Sequence, residues 1–214
     1  MFKHKKKEYA PTIEPDKIAS LPLTLFEGKI TVIDELDHEF EKAVRYLRRR
    51  RVIGFDTETR PVFTPHVPQH GVALLQLSSG RHAFLFRVFK IGMEEPLAAI
   101  LSDPKIVKVG AAVLDDIRGL QKIFPFQPAN FVDLQKICPE WGIQEKSVKK
   151  LTAIILGKRI SKTQQLSNWE APQLSDAQKI YAATDAWICR EMYNKLLDSE
   201  KVPEDSTENT EQCK

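Results

Sequence analysis

Val52-Ile53-Gly54-Phe55-Asp56-Thr57-Glu58-Thr59 decides the fold of this chain. The stretch opens on an apolar run, the pattern of a strand buried in the middle of a sheet. Residues two apart on a strand project to one face, so Asp56 and Glu58 emerge together where the strand ends. Carboxylates that close repel unless one is protonated or a cation bridges them. Alone, the pair also fits a plainer description, two solvated acids at the mouth of a strand.

Working outward, Asp37 to Arg50 carries Phe40, Val44 and Leu47 at helical spacing, and Lys29 to Ile33 reads as a short edge strand. Val72 to Ser78 and His82 to Phe86 are strands joined by Ser79-Gly80-Arg81, a hairpin turn. Glu95 to Leu101 is helical, Ile106 to Val109 a strand, Val113 to about Phe124 a helix and Asn130 to Val132 a short last strand. Helices then dominate, from Ser147 to Leu156 and from Ser175 to about Asp198, where Ser175 and Gln178 fit a capping box. Antiparallel strands followed by strand–helix–strand units predict an α/β fold, a mixed central sheet of about five to six strands flanked by helices. One domain is expected over residues 25–199. Residues 1–24, with Pro11, Pro15 and Pro22 and no sustained period, read as an extended arm. Residues 200–214, with Glu204, Asp205, Glu208 and Glu211, read as a disordered acidic tail.

Two further acids sit where apolar neighbours predict burial. Tyr181, Asp185, Ile188, Met192 and Leu196 share one helical face, and Asp185 interrupts an otherwise apolar stripe. A Tyr–Asp hydrogen bond would satisfy both groups without any further role. Asp115 and Asp116 fall in the first turn of the helix after the Ile106 strand, where either would suit the helix dipole. Spacing does not choose between them. Buried carboxylates need compensating charge, and a pair of divalent cations would supply it. Two-metal sites of that kind hydrolyse phosphodiesters.

Bulk properties narrow the classes. A chain of 214 residues can bury a substantial core, and a net charge of +3 is too small to argue for nucleic acid by itself. Local charge says more: Lys3-His4-Lys5-Lys6-Lys7 opens the chain, and Arg48 to Arg51 precede the first core strand. Cys138, Cys189 and Cys213 are scattered and odd in number, with no Cys-x-x-Cys pair, so neither a disulfide framework nor a zinc knuckle is supported. A reducing compartment follows. No apolar run approaches a membrane span, and no apolar segment follows the basic start as a secretory signal requires. A cytoplasmic protein with no membrane partner is expected by elimination.

The acids gain meaning in combination. The order of the acidic pair, Asp116 and Tyr-x-x-x-Asp resembles the DEDD superfamily of 3′–5′ exonucleases, in its tyrosine-bearing subfamily, over roughly residues 30–198. Asn168-Trp169, Leu174 to Ala186 and Val72 to Leu77 look like the Werner-syndrome exonuclease domain and ribonuclease D, most of all a stand-alone bacterial version. The resemblance implies a ribonuclease H-like fold. It implies that Asp56, Glu58 and Asp185 hold one metal, that Asp56 bridges to a second, and that Asp116 rather than Asp115 supports that one. Hard oxygen ligands suit Mg²⁺ or Mn²⁺. Tyr181, with a free pKa of about 10, orients the attacking water better than it takes its proton.

The basic loop Gly157 to Gln165 is then placed near the substrate, with Lys162 as the best candidate contact and Thr57 and Thr59 as further ones. The expected partner is DNA or RNA with a free 3′ end, and a protein partner is open. Arg60 to His70, stiffened by Pro61, Pro65 and Pro68, leaves from the edge of the site and could grip that end or serve only as a connector. His66 and His70 are too few for a metal site. The competing expectation is a nucleic-acid-binding or partner-regulating module on the same fold. Asp56→Ala separates the two, because a binder has no cleavage to lose.

Overall fold

The computed structural model describes residues 9–64 and 70–202. The Lys3 to Lys7 run, Pro65, His66, Pro68, Cys213 and the acidic tail from residue 203 lie outside them. Among the described residues, six strands form one sheet: β1 (Lys29–Ile33), β2 (Val52–Thr59), β3 (Val72–Ser78), β4 (His82–Phe86), β5 (Val107–Gly110) and β6 (Phe131–Asp133). Their order is β1-β4-β3-β2-β5-β6. The β2-β3-β4 meander is antiparallel, and β1, β5 and β6 add to it in parallel, so the sheet is mixed as the alternation of elements predicts. The helices are α1 (Pro15–Ser20), α2 (His38–Leu47), α3 (Val88–Ile91), α4 (Glu95–Ser102), α5 (Val113–Ile123), α6 (Leu134–Ile137), α7 (Val148–Leu156) and α8 (Asp176–Leu197).

Period-two alternation splits β2 between two layers. Ile53 and Phe55 face a core built with Phe40 and Leu47 of α2, Leu97 and Leu101 of α4, and Ile117 and Leu120 of α5. Gly54, Asp56 and Glu58 face the other way, toward α8. That helix crosses β1 to β5 and carries Ile188, Met192 and Leu196 into a second core with Leu151 and Ile155 of α7. The capping box holds its start: Gln178 N donates to Ser175 Oγ at 3.2 Å, and Ser175 N to Gln178 Oε1 at 3.0 Å. β2 runs on past Asp56 to Thr59, with a register shift at Glu58/Thr59 that bends its end.

Of the arm read over 1–24, residues 9–24 are described, and they hold a short helix and buried side chains. Pro at the first helical position starts α1, Ile18 is buried, and Leu23 bridges to Arg159 in parallel. Residues 9–24 thus pack on the domain, because a few apolar side chains (Tyr9, Ile18) find matching surface that no local period reveals.

Candidate active site

Ligand oxygens from Asp56, Glu58 and Asp185 all lie within 4.8 Å of one another. β2 delivers the first two from its α8 face, and the middle of α8 delivers the third. Asp185 is buried, and Asp56 and Glu58 are partly so. Gly54 permits the close approach: a Cβ there would stand 1.8 Å from the Ala186 carbonyl oxygen. Ala186 adjoins Asp185, and Gly54 is two residues from Asp56, so this backbone contact sets the gap between strand acids and helix acid.

Crowding three carboxyls under a helix perturbs all of them. Burial, then the charges of Asp185 and Asp116, holds Asp56 well above the ordinary carboxylate range. Burial, then Asp56 and Asp185, pushes Glu58 up to about 9. Burial also raises Asp185, opposed by Lys162. Lys162 Nζ lies 3.1 and 3.3 Å from the two Asp185 oxygens and 3.4 Å from the Tyr181 hydroxyl. The loop residue expected at the substrate therefore reaches the acids themselves. Burial and the Asp185 charge raise Tyr181 above its ordinary value, so its hydroxyl keeps its proton at neutral pH. Trp169 packs beside its ring, centroids 5.9 Å apart.

Asp116 enters from the opposite layer. Thr57 Oγ1 donates to Asp116 Oδ1, and burial raises Asp116 to about 6 against that hydrogen bond. Thr57 is thus engaged inside the protein. Of the two acids between which spacing does not choose, the Asp115 side chain is 92% exposed and pairs with Arg118, whereas Asp116 turns inward. The turn into α5 is unusual, with Ala112 left-handed at φ 58°. That conformation is costly for a residue with a Cβ. Asp133 Oδ1 accepts from Ala112 N at 2.9 Å and also from Gln135 N, the cap of α6, so one carboxylate holds the turn that aims Asp116.

Thr59 ends β2, partly buried beyond the bend. Both described ends of the 60–70 loop meet Glu170: Arg60 Nη1 lies 3.3 Å from Oε2 and His70 Nδ1 3.3 Å from Oε1. Two residues here were not singled out from the sequence. Gln76 sits directly across from Asp56 on β3, fully buried, and its amide finds no hydrogen-bond partner among the described residues. Directly opposed residues project to one face, so this amide belongs to the floor under α8. Arg87, also buried, donates to the Ala171 and Pro172 carbonyls and ties down the loop ahead of α8. An apolar-flanked Gln or Arg gives no sequence signal of such a role, since composition alone would place both at a strand edge.

The donor set fits divalent cations. Three carboxyls whose charge is disfavoured in isolation become favourable ligands once a hard cation supplies compensation, and all their donors are oxygen.

Comparison with known proteins bears on this geometry. Residues 32–199 match the family described as 3′-5′ exonuclease. Ribonuclease D of Gluconacetobacter diazotrophicus is 30% identical over 173 residues, 79% of this chain and 42% of that protein. The bifunctional 3′-5′ exonuclease/ATP-dependent helicase WRN of Mus musculus is 31% identical over 186 residues, 83% of this chain and 13% of that protein. Among solved structures, the Aedes aegypti Nibbler EXO domain aligns with a TM-score of 0.70 at 26% identity, covering 83% of this chain and 91% of that one. The chain spans less than half the length of either curated relative.

Proposed function

Since this chain belongs to the 3′-5′ exonuclease family, we propose that it hydrolyses phosphodiester bonds one nucleotide at a time from the free 3′ end of DNA or RNA, releasing nucleoside 5′-monophosphates. Its ribonuclease H-like sheet is the one the motifs imply. The observation that carries the reading is the convergence of Asp56, Glu58 and Asp185 within 4.8 Å of one another, with Tyr181 against Asp185.

Asp56, Glu58 and Asp185 would hold one divalent cation, Asp56 and Asp116 would help to hold a second, and Mg²⁺ or Mn²⁺ suits these oxygens. When bound, such cations would supply Lewis-acid charge to acidify the attacking water and to neutralise the leaving 3′ oxygen. The chain's own residues do the positioning. Tyr181 stays a neutral hydroxyl and orients the water by hydrogen bond. Lys162 can exchange the Asp185 oxygens for a phosphate oxygen of the strand, an ammonium being a mobile point charge on a flexible stem. Thr57 acts through Asp116, fixing which oxygen that carboxyl presents. Thr59, at the bent end of β2, stays a candidate strand contact. Cys138 and Cys189 are buried free thiols, in keeping with the reducing, cytoplasmic setting proposed here. Among the described residues no helix is long and apolar enough to cross a membrane.

The deciding assay is a time course on 5′-labelled single-stranded DNA and RNA with Mg²⁺, Mn²⁺ or EDTA, beside Asp56→Ala. A metal-dependent ladder that Asp56→Ala lacks is expected, and the faster substrate names the class. Binding with no ladder on single strands or recessed ends would replace the enzyme by a binding module.

A further inference from the structure

Beside the carboxylates lies a hollow of about 180 Å³ that the reaction as described leaves unused. Leu23 and Leu25 form one wall, Thr163 of the Lys162 loop another, and Ile180, Tyr181 and Thr184 of α8 the floor. Leu23, Leu25 and Ile180 are 49%, 39% and 37% exposed, three large apolar side chains turned to water around one opening. No charged side chain lines it. The hollow therefore offers no fixed charge to a phosphate or a cation. Its apolar walls suit a flat aromatic ring of any identity, and the hydroxyls of Ser161 and Thr163 edge it. Tyr181 belongs both to this hollow and to the acidic cluster, so whatever fills it lies next to the reacting phosphate.

The wall is built, not incidental. Thr24 N donates to Arg159 O at 2.8 Å and Arg159 N to Pro22 O at 2.9 Å, which fastens residues 21–26 to the start of the Lys162 loop. Arg159 Nε reaches Leu21 O at 3.0 Å, and Phe26 N donates to Thr184 Oγ1 of α8 at 3.0 Å. The segment is a strap pinned on two sides of the hollow. The family match begins at residue 32, so residues 21–26 lie ahead of the matched span.

We propose that the strap and α8 seat a nucleobase adjoining the scissile phosphate, with Leu23, Leu25 and Ile180 as the residues that grip it. The proposal rests on the exonuclease reading and adds a base-gripping wall to it. The test is a cycle of protein and substrate changes on the full chain. Leu25→Ser and, from the opposite wall, Ile180→Ser are compared with the unaltered protein on 5′-labelled oligonucleotides. The strands are intact, or abasic at the terminal or the penultimate 3′ position. The same pairs are read by fluorescence anisotropy in EDTA, where no turnover intervenes. An abasic site at one of the two positions should cost the unaltered protein roughly tenfold in kcat/KM and in affinity. Each variant should show that loss already on the intact strand and lose little more on the abasic one. Losses that multiply, or indifference to both abasic positions, overturn the seat while leaving the exonuclease standing. No ladder from the unaltered protein on any strand overturns the exonuclease reading, and the seat with it.

Discussion

Glu58→Gln should stabilise the metal-free protein at neutral pH even though it deletes a candidate metal ligand. In the unfolded chain Glu58 ionises near its ordinary 4.5, and in the folded protein burial and its acidic neighbours raise it to about 9. Between those values the folded protein keeps a proton that the unfolded chain has released. Stability is therefore fully present below about pH 4.5 and is lost as pH rises toward 9. At pH 7.5 that linkage reaches a ceiling of about 4 kcal/mol, at ~1.36 kcal/mol for each pH unit above 4.5. Coulomb's law gives a similar size: two charges 4.8 Å apart at an effective dielectric of ~20 repel by about 3.5 kcal/mol. Relaxation of a partly exposed group takes part of this, and a gain of about 1–3 kcal/mol is expected for glutamine, which matches the volume and carries no charge. The assay is urea unfolding at pH 5 and pH 7.5, in EDTA and in excess Mg²⁺. In EDTA the variant should lead at pH 7.5 and the lead should nearly close at pH 5. Mg²⁺ should reverse the order, because the cation stabilises the folded form it binds and the variant binds it less well. A variant no more stable than the parent in EDTA at pH 7.5 would refute the argument that these acids strain the fold.

Three further outcomes follow from the same geometry. Lys162→Met removes the ammonium that touches Asp185, so it should lower metal-free stability by about 1–3 kcal/mol, with the gap shrinking in Mg²⁺; identical urea midpoints in EDTA would show that the contact contributes nothing. Tyr181→Phe keeps the ring against Trp169 and loses only the hydroxyl, so kcat should fall roughly 10- to 100-fold with KM little changed; a full-rate variant would remove Tyr181 from the chemistry. Gln76→Leu exchanges a fully buried amide for an apolar group of similar reach, so unfolding should be unchanged or up to about 1 kcal/mol harder. A loss above about 2 kcal/mol there would mean that the amide has a partner in solution.

Much of this was legible in the sequence because two periods survive in it. Alternation placed Asp56 and Glu58 on one face of β2, and the 3.6-residue repeat put Tyr181 and Asp185 on one face of α8, where the structure has them. The capping box located the start of α8 to within a residue. What stayed hidden depends on pairs of residues far apart in the chain. Nothing local says that Thr57 turns to Asp116 or that Asp133 braces Ala112. The short helices α3 and α6, four residues each, are too brief to carry a period. The N-terminal segment misled for the same reason, since its order comes from Arg159 and Thr184 rather than from any pattern of its own.

Position 54 gives the site a calliper. Where β2 meets α8, backbone lies against backbone with no side chain between, because a methyl group would fall 1.8 Å from the Ala186 oxygen. Side chains can swing to suit a larger guest, but a jaw made of main chain cannot. On the proposed two-cation reading, a fixed jaw would favour ions that demand short, regular coordination, near 2.0–2.1 Å for Mg²⁺, over Ca²⁺ at about 2.3–2.6 Å with its looser shell. It also means that a relative can retain every acid and still lose its grip on the metal through one extra carbon at this glycine. Surveys that score such domains by their charged residues alone would count it as intact.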